Sequence, residues 1–231
     1  MDMTSCPVSP APWTRSMKAN GTPVLDITIR RPAFPDSGKT RRIEKYFSQL
    51  TQCWQTRWET SLYQKAAQAL TEQSNQRPFL PWKATMDYQI TFWAPPLISI
   101  QISIQEQGPV TPSAFLCIGE VWDCNTGYPC SLRTFLPKRP HRWKRALIHQ
   151  LQEQVEQRLN SGESLLYPNS VSSIKQTFDS NRFYLTEEGI AIFYPLYILG
   201  PYGEGIPTFT IPIEEQIQSN KFLAPSKTAQ R

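Results

Sequence analysis

Residues 97–107 read LISIQISIQEQ. Ile98, Ile100, Ile102 and Ile104 fall on one side and serine and glutamine on the other, the period of two that an extended strand requires. A chain with such a strand must cover the isoleucine side, and the polar alternation predicts an antiparallel sheet covered on one face. Neighbouring stretches follow the same rule. MDYQITFWA (86–94) precedes it through Pro95-Pro96, and SAFLCIGEVWDC (113–124) follows as the next strand of a meander, closed by an NTG turn. PVLDITIRR (23–31) alternates as a further strand.

The cover is predicted to be helical. From Thr40 to Gln73, Ile43, Phe47, Leu50, Trp54, Trp58, Leu62, Ala66 and Leu70 recur at three- and four-residue spacing as one apolar stripe. Its aromatic residues would also suit a ligand groove, but a helix laid flat on a sheet accounts for the same stripe and is the reading adopted. A second amphipathic helix runs from about His141 to Asn160, with Trp143, Leu147, Leu151, Val155 and Leu159 inward, and a shorter one spans about 171–178. The fold class is therefore α/β of the α+β type, antiparallel meanders with two main amphipathic helices packed on one face.

Residues 1–22 contain proline and serine and lack an apolar core, so they read as a disordered tail without the apolar region of a secretory signal. Asn20-Gly21-Thr22 matches the glycosylation triplet and is taken as a chance match. Residues 23–215 are expected to form one domain, with halves at about 23–110 and 111–215, and 216–231 a flexible tail. At 39% hydrophobic and 19% charged residues, a folded domain rather than a disordered chain is expected. No window nears 18 uninterrupted apolar residues, so no membrane span is expected. Read as it stands the chain is cytoplasmic, and an upstream start would allow export.

Chemistry-bearing motifs are sparse. The five cysteines Cys6, Cys53, Cys117, Cys124 and Cys130 form no disulfide framework, and Cys124 and Cys130 flank a turn and could face each other across a hairpin, but a disulfide there is not the expected state in a reducing cytosol. With His141 and His149 alone and no CxxC, neither a zinc site nor a cofactor is expected. No nucleophile elbow, phosphate loop or dinucleotide fingerprint occurs. Carboxylates stand at Glu120, Asp123, Glu187, Glu188, Glu204, Glu214 and Glu215, but spacing alone does not set two of them across a substrate as glycoside hydrolysis needs. No catalytic residue is assigned, and a polysaccharide-acting hydrolase is the remote alternative.

The densest charge cluster is KRPHRWKR (138–145), in a chain of net charge +5. Functionally, Lys138, Arg139, Arg142, Lys144 and Arg145 would contact phosphates while Trp143 stacks on a base. Structurally, it is a loop entering a helix, with Trp143 in the apolar stripe and the charges solvated. The structural reading is preferred because no wider basic stripe accompanies the cluster. An intracellular protein that uses this entry on an anionic partner such as nucleic acid is the alternative function.

Residues 183–212, FYLTEEGIAIFYPLYILGPYGEGIPTFTIP, read as a closing meander. Phe183–Thr186 is a strand, Glu187-Glu188-Gly189 a turn, Ile190–Leu199 a strand at an edge or bulged at Pro195, and Ile206–Ile213 a return strand. Here Phe183-Tyr184-Leu185-Thr186, Gly189, Tyr197, Pro201-Tyr202, Gly205-Ile206-Pro207 and Thr210-Ile211-Pro212 closely resemble the C-terminal-like domain family of the anti-sigma factor RsiV. Asp123, Thr126-Gly127, Ser131-Leu132 and Phe135 resemble the same family's strand–turn–helix entry.

The resemblance implies an α/β fold with helices on an antiparallel sheet, no known catalytic centre, and a bacterial binding domain for a protein or cell-wall-derived partner. The family's namesake captures lysozyme outside the cell. Without that protein's anchor, lysozyme capture and sigma-factor control are not carried over. Tyr194, Tyr197 and Tyr202 are the expected partner contacts, since a rigid amphipathic ring gives contact area at low entropic cost. At least half of them would instead serve the framework, a role preferred for Tyr202 beside Pro201.

Overall fold

The computed structural model describes residues 10–36, 38–73, 78–108, 114–136 and 143–213. Along the chain lie β1 (Trp13–Ala19), β2 (Thr22–Ile29), α1 (Arg41–Arg57), a π turn (Trp58–Leu62) and α2 (Tyr63–Glu72). Next come β3 (Trp82–Ala94), β4 (Leu97–Gln107), β5 (Ala114–Asp123), β6 (Tyr128–Pro129) and a 3-10 turn (Leu132–Phe135). The remainder is α3 (Trp143–Ser161), α4 (Ser170–Thr177), β7 (Phe183–Thr186), β8 (Gly189–Phe193), a 3-10 turn (Tyr202–Glu204) and β9 (Thr208–Pro212). A six-stranded sheet has the order β1-β2-β3-β4-β5-β6, and a three-stranded sheet the order β7-β8-β9. The mixed α/β class and its antiparallel meanders are those the sequence predicts.

Residues 13–19, expected to be tail, form a strand. β1 pairs antiparallel with β2, and Asn20 (φ 51°) and Gly21 (φ 80°) make the turn between them. Asn-Gly suits a two-residue hairpin because both positions need positive φ. The triplet at 20–22 is thus a hairpin turn and strand entry. β1 is a mostly exposed edge strand in which Trp13, Met17 and Ala19 stand at alternate positions but Arg15 interrupts them, a broken alternation too weak to mark a strand.

One pair in the large sheet is parallel. β2 runs alongside β3 from Leu25↔Trp82 to Ile29↔Met86, and the connection between them contains α1 and α2. A parallel pair needs such a crossover, and the helix lies on the sheet that it links. Ile43, Phe47, Trp58, Leu62 and Ala66 are buried against Val24, Ile27, Met86 and the isoleucines of β4. The Trp58 indole N–H donates to Glu106 at 2.9 Å, so the largest core side chain keeps its polar group satisfied.

The two main helices lie over different sheets. α3 buries Leu147, Ile148, Leu151 and Val155 with residues of β7, β8 and β9. Its Gln154 and Arg158 side chains donate to the carbonyls of Thr210 and Thr208 at 2.9 and 2.6 Å. The small sheet in turn covers the supposedly open face of the large one. Ser99, whose side chain points away from the isoleucines, is fully buried, and its hydroxyl accepts the Leu185 amide at 2.8 Å. On the neighbouring strand Gly119 leaves the space that the Phe183 backbone occupies; a Cβ there would collide with the Phe183 carbonyl. Small residues at this crossing let two backbones approach.

β8 stops at Phe193 rather than reaching Leu199. Tyr194 N–H still bonds Pro207 O at 2.9 Å, but Pro195 has no donor to continue the ladder, and the chain turns. The return strand is likewise shorter, 208–212. At the other end of the hairpin Gly189 takes φ 145°. No described helix is long and apolar enough to cross a membrane.

Candidate functional site

After β8 the chain enters a loop that two neighbours fix in place. Residues 195–198 make a turn in which Ile198 N–H bonds Pro195 O at 3.3 Å. Tyr197 occupies its third position with φ 66°, a conformation normally left to glycine or asparagine. Leu199 is buried, and its carbonyl accepts both Tyr167 N–H at 2.7 Å and the Ser170 hydroxyl at 2.6 Å. Beyond Pro201, the Glu204 carboxylate accepts Leu165 N–H at 2.6 Å and the Ser164 hydroxyl at 3.1 Å. The segment joining α3 to α4 thereby anchors the loop at both ends.

The anchored loop presents two rings to solvent. Tyr197 is 52% and Tyr202 48% exposed, with centroids 6.4 Å apart and planes inclined by 34°. Beside them Leu165 is 58% exposed and reaches Gly203, so an apolar strip runs from Leu165 across Gly203 to the tyrosines. The Tyr202 ring is half-exposed, and its carbonyl accepts Gly205 N–H at 3.0 Å in the turn. Leu165 and the half-exposed Tyr167 were missed. The cue was the run Leu165-Leu166-Tyr167, of which Leu166 alone is buried.

Tyr194 is a core residue. It is 1% exposed, its ring meets Phe209 edge-on at 6.1 Å, and its hydroxyl donates to Ile174 O at 3.3 Å. Burial raises its phenol well above the usual range, against a smaller opposing pull from Arg182. It precedes Pro195 at the end of the central strand of the small sheet, which places its side chain in the core.

The basic cluster is only partly placed. Lys138, Arg139 and Arg142 lie outside the described residues. Trp143 opens α3 half-buried against the core, with the Arg133 guanidinium 5.8 Å from its ring centroid. Lys144 sits 5.2 Å from the Phe178 ring centroid and Arg145 is exposed. Trp143 is therefore partly buried against the core, the packing that the stripe predicts.

The carboxylates serve separate parts of the fold. Asp123 accepts Asn125 N–H at 2.7 Å and the Thr126 hydroxyl at 3.1 Å, while its carbonyl takes Gly127 N–H at 2.7 Å. That closes the turn spelled by Asp123, Thr126 and Gly127. Glu120 is half-buried under α1, where the Tyr46 hydroxyl donates to it. Burial holds its carboxyl above the ordinary range, with the Tyr46 bond pulling the other way, and both burial and Glu120 raise the Tyr46 phenol. Trp122 next to it has a buried indole N–H without a partner. Glu204 is committed to residues 164 and 165. Glu187 and Glu188 stand exposed in the hairpin turn, and Glu214 and Glu215 lie outside the described residues.

Cys124 and Cys130 do not bridge. Cys124 is buried in the α1 cluster, Cys130 packs against the α3 cluster, and both thiols are free. Burial, then the Asp123 carboxylate, pushes both to about 11. His149 is exposed beside Glu153 at 3.3 Å, and His141 lies outside the described residues. Among the described residues, no three His, Cys, Asp or Glu gather as metal ligands do.

No curated protein matches the chain. Solved structures share its fold, two of them from the same family. One is a DUF3298 family member from Bacteroides fragilis, with a TM-score of 0.60, 14% identity, and 92% of this chain and 90% of that one covered. The other is a DUF3298 family protein from Pseudomonas aeruginosa, with a TM-score of 0.56, 14% identity, and 90% and 91% covered. In sequence, residues 135–214, the part that carries α3, α4, the small sheet and the tyrosine loop, match the family described as "Protein of unknown function (DUF3298)".

Proposed function

We propose that this chain is a non-enzymatic binding domain whose partner, a protein or a cell-wall-derived ligand, docks on the strip formed by Leu165, Tyr197 and Tyr202. The observation that carries this is Tyr197. A non-glycine residue in the left-handed region costs about 1–2 kcal/mol. Core burial, which commonly offsets such a cost, is not available to a ring that is half in solvent. Strained backbone that presents an exposed ring gathers at binding sites, and exposed aromatic residues are favoured anchors of interfaces. The likeness of residues 183–212 to the RsiV C-terminal-like domain supports a receptor-type role for the same segment.

Site-specific photo-crosslinking tests the reading. A photoreactive phenylalanine analogue is placed at 197, at 202 and, as a distant exposed control, at Leu80 in the cells that make the protein. One adduct common to 197 and 202 and missing at 80 is expected. No adduct, or the same pattern at all three positions, contradicts the proposal.

A further inference from the structure

The two segments that build the tyrosine strip are uncharged, which narrows what the strip can take. Residues 164–170 (SLLYPNS) and 195–203 (PLYILGPYG) contain no Asp, Glu, Lys or Arg, in a chain where 19% of residues are charged. Glu204, at the end of the loop, is already held by Leu165 N–H and the Ser164 hydroxyl. An ionic partner meets no counter-charge from these segments, and complementary charge is what selects such a partner. The strip is also small. The exposed parts of Leu165, Tyr167, Tyr197 and Tyr202 come to roughly 400 Å². Each side of a stable protein interface contributes about 800 Å². Charge and area together favour a narrow, neutral ligand lying along the strip.

We infer that this ligand is a neutral oligosaccharide bearing acetamido groups, an assignment that rests on the docking reading of the strip. The C–H groups on the face of a pyranose are slightly positive and stack on the electron-rich face of an aromatic ring. Tyr197 and Tyr202, with centroids 6.4 Å apart, set two rings at the scale of neighbouring sugar units. Their hydroxyls have no hydrogen-bond partner among the described residues, so both can bond sugar hydroxyls. The exposed Asn169 side chain makes no cap to α4, and it follows Tyr167, whose N–H ties it to Leu199 O. An amide at this margin matches an acetamide, donor to acceptor. Leu165 supplies apolar surface for the acetamido methyl, which an unsubstituted hexose lacks. The loop is anchored at Leu199 and Glu204, so its rings are ordered before the ligand arrives and less entropy is lost on binding.

The test is isothermal titration calorimetry of the full chain with the β-1,4-linked hexamers of N-acetylglucosamine and of glucose. Binding of the acetylated hexamer is expected, insensitive to salt because no charge is paired. It should be weaker at least about tenfold for the glucose hexamer and for Tyr202→Ala with an unchanged melting temperature. Leu165→Ser should remove the preference for the acetylated hexamer, and it decides alone if Tyr202→Ala loses structure. No heat with the acetylated hexamer, equal binding of both hexamers, a fall with salt, or indifference to a folded variant overturns the saccharide assignment. If residues 197 and 202 still give a common photo-adduct that protease degrades, the strip docks a protein and the docking reading stands. If neither heat nor adduct appears, both readings fall.

Discussion

The Ser99 hydroxyl accepts the Leu185 amide at 2.8 Å in the protein interior, tying the first strand of the small sheet to the middle of the large one. The same hydroxyl lies 2.9 Å from that of Thr91, so Ser99 links three strands. Ser99→Ala leaves a buried amide without its acceptor and is expected to lower stability by about 1–3 kcal/mol, read by urea denaturation. A change within error would show that another group takes over the amide.

Gly119 and Gly203 should answer differently to the same substitution. Gly119→Ala drives a methyl into the Phe183 backbone, which cannot step aside as a side chain would, and should cost at least about 2 kcal/mol. Gly203→Ala meets only the end of the flexible Leu165 side chain, at 3.2 Å, and should stay within about 0.5 kcal/mol. Thermal melts of the two variants check the contrast.

Glu120 couples stability to pH. Burial raises its carboxyl in the folded state above the ordinary value of 4.5, so folding favours the protonated form. That stability is fully present below the unfolded value and is lost as pH rises through the folded one. Glu120→Gln stays neutral and still accepts the Tyr46 hydroxyl, so its stability relative to wild type should rise between acid and neutral pH. Tyr46→Phe, which removes the one hydrogen bond that favours the charged form, should destabilise by about 1–3 kcal/mol at pH 7. Denaturation curves across the acid-to-neutral range supply both tests.

The elements legible in the sequence were those with a strong period. The isoleucines of β4 and the stripe from Ile43 to Ala66 predicted a strand and a helix that pack together, as they do. β1 has only a broken period, Trp13, Met17 and Ala19 interrupted by Arg15, beside the clearer signal of its Asn20-Gly21 turn. The second cover of the large sheet was hidden for a physical reason. Ser99 and Gly119 look like solvent-facing residues, yet small size and one hydroxyl are also what a close backbone crossing requires. The same ambiguity divided the tyrosines. Tyr194 and Tyr197 are three positions apart, and the turn after Pro195 sends one ring into the core and the other to solvent.

The central claim is that Tyr197 is held in a costly conformation for the sake of a partner. Its most direct test is a side-by-side measurement on Tyr197→Gly: the melting temperature, and the recovery of the crosslinked partner from native extract by the purified domain. Glycine relieves the left-handed strain, so the melting temperature should hold or rise, by up to about 1 kcal/mol in stability. Recovery should fall at least about tenfold, the loss expected of an interface anchor. Undiminished recovery with a lowered melting temperature would mean that Tyr197 serves the fold, and would contradict the account.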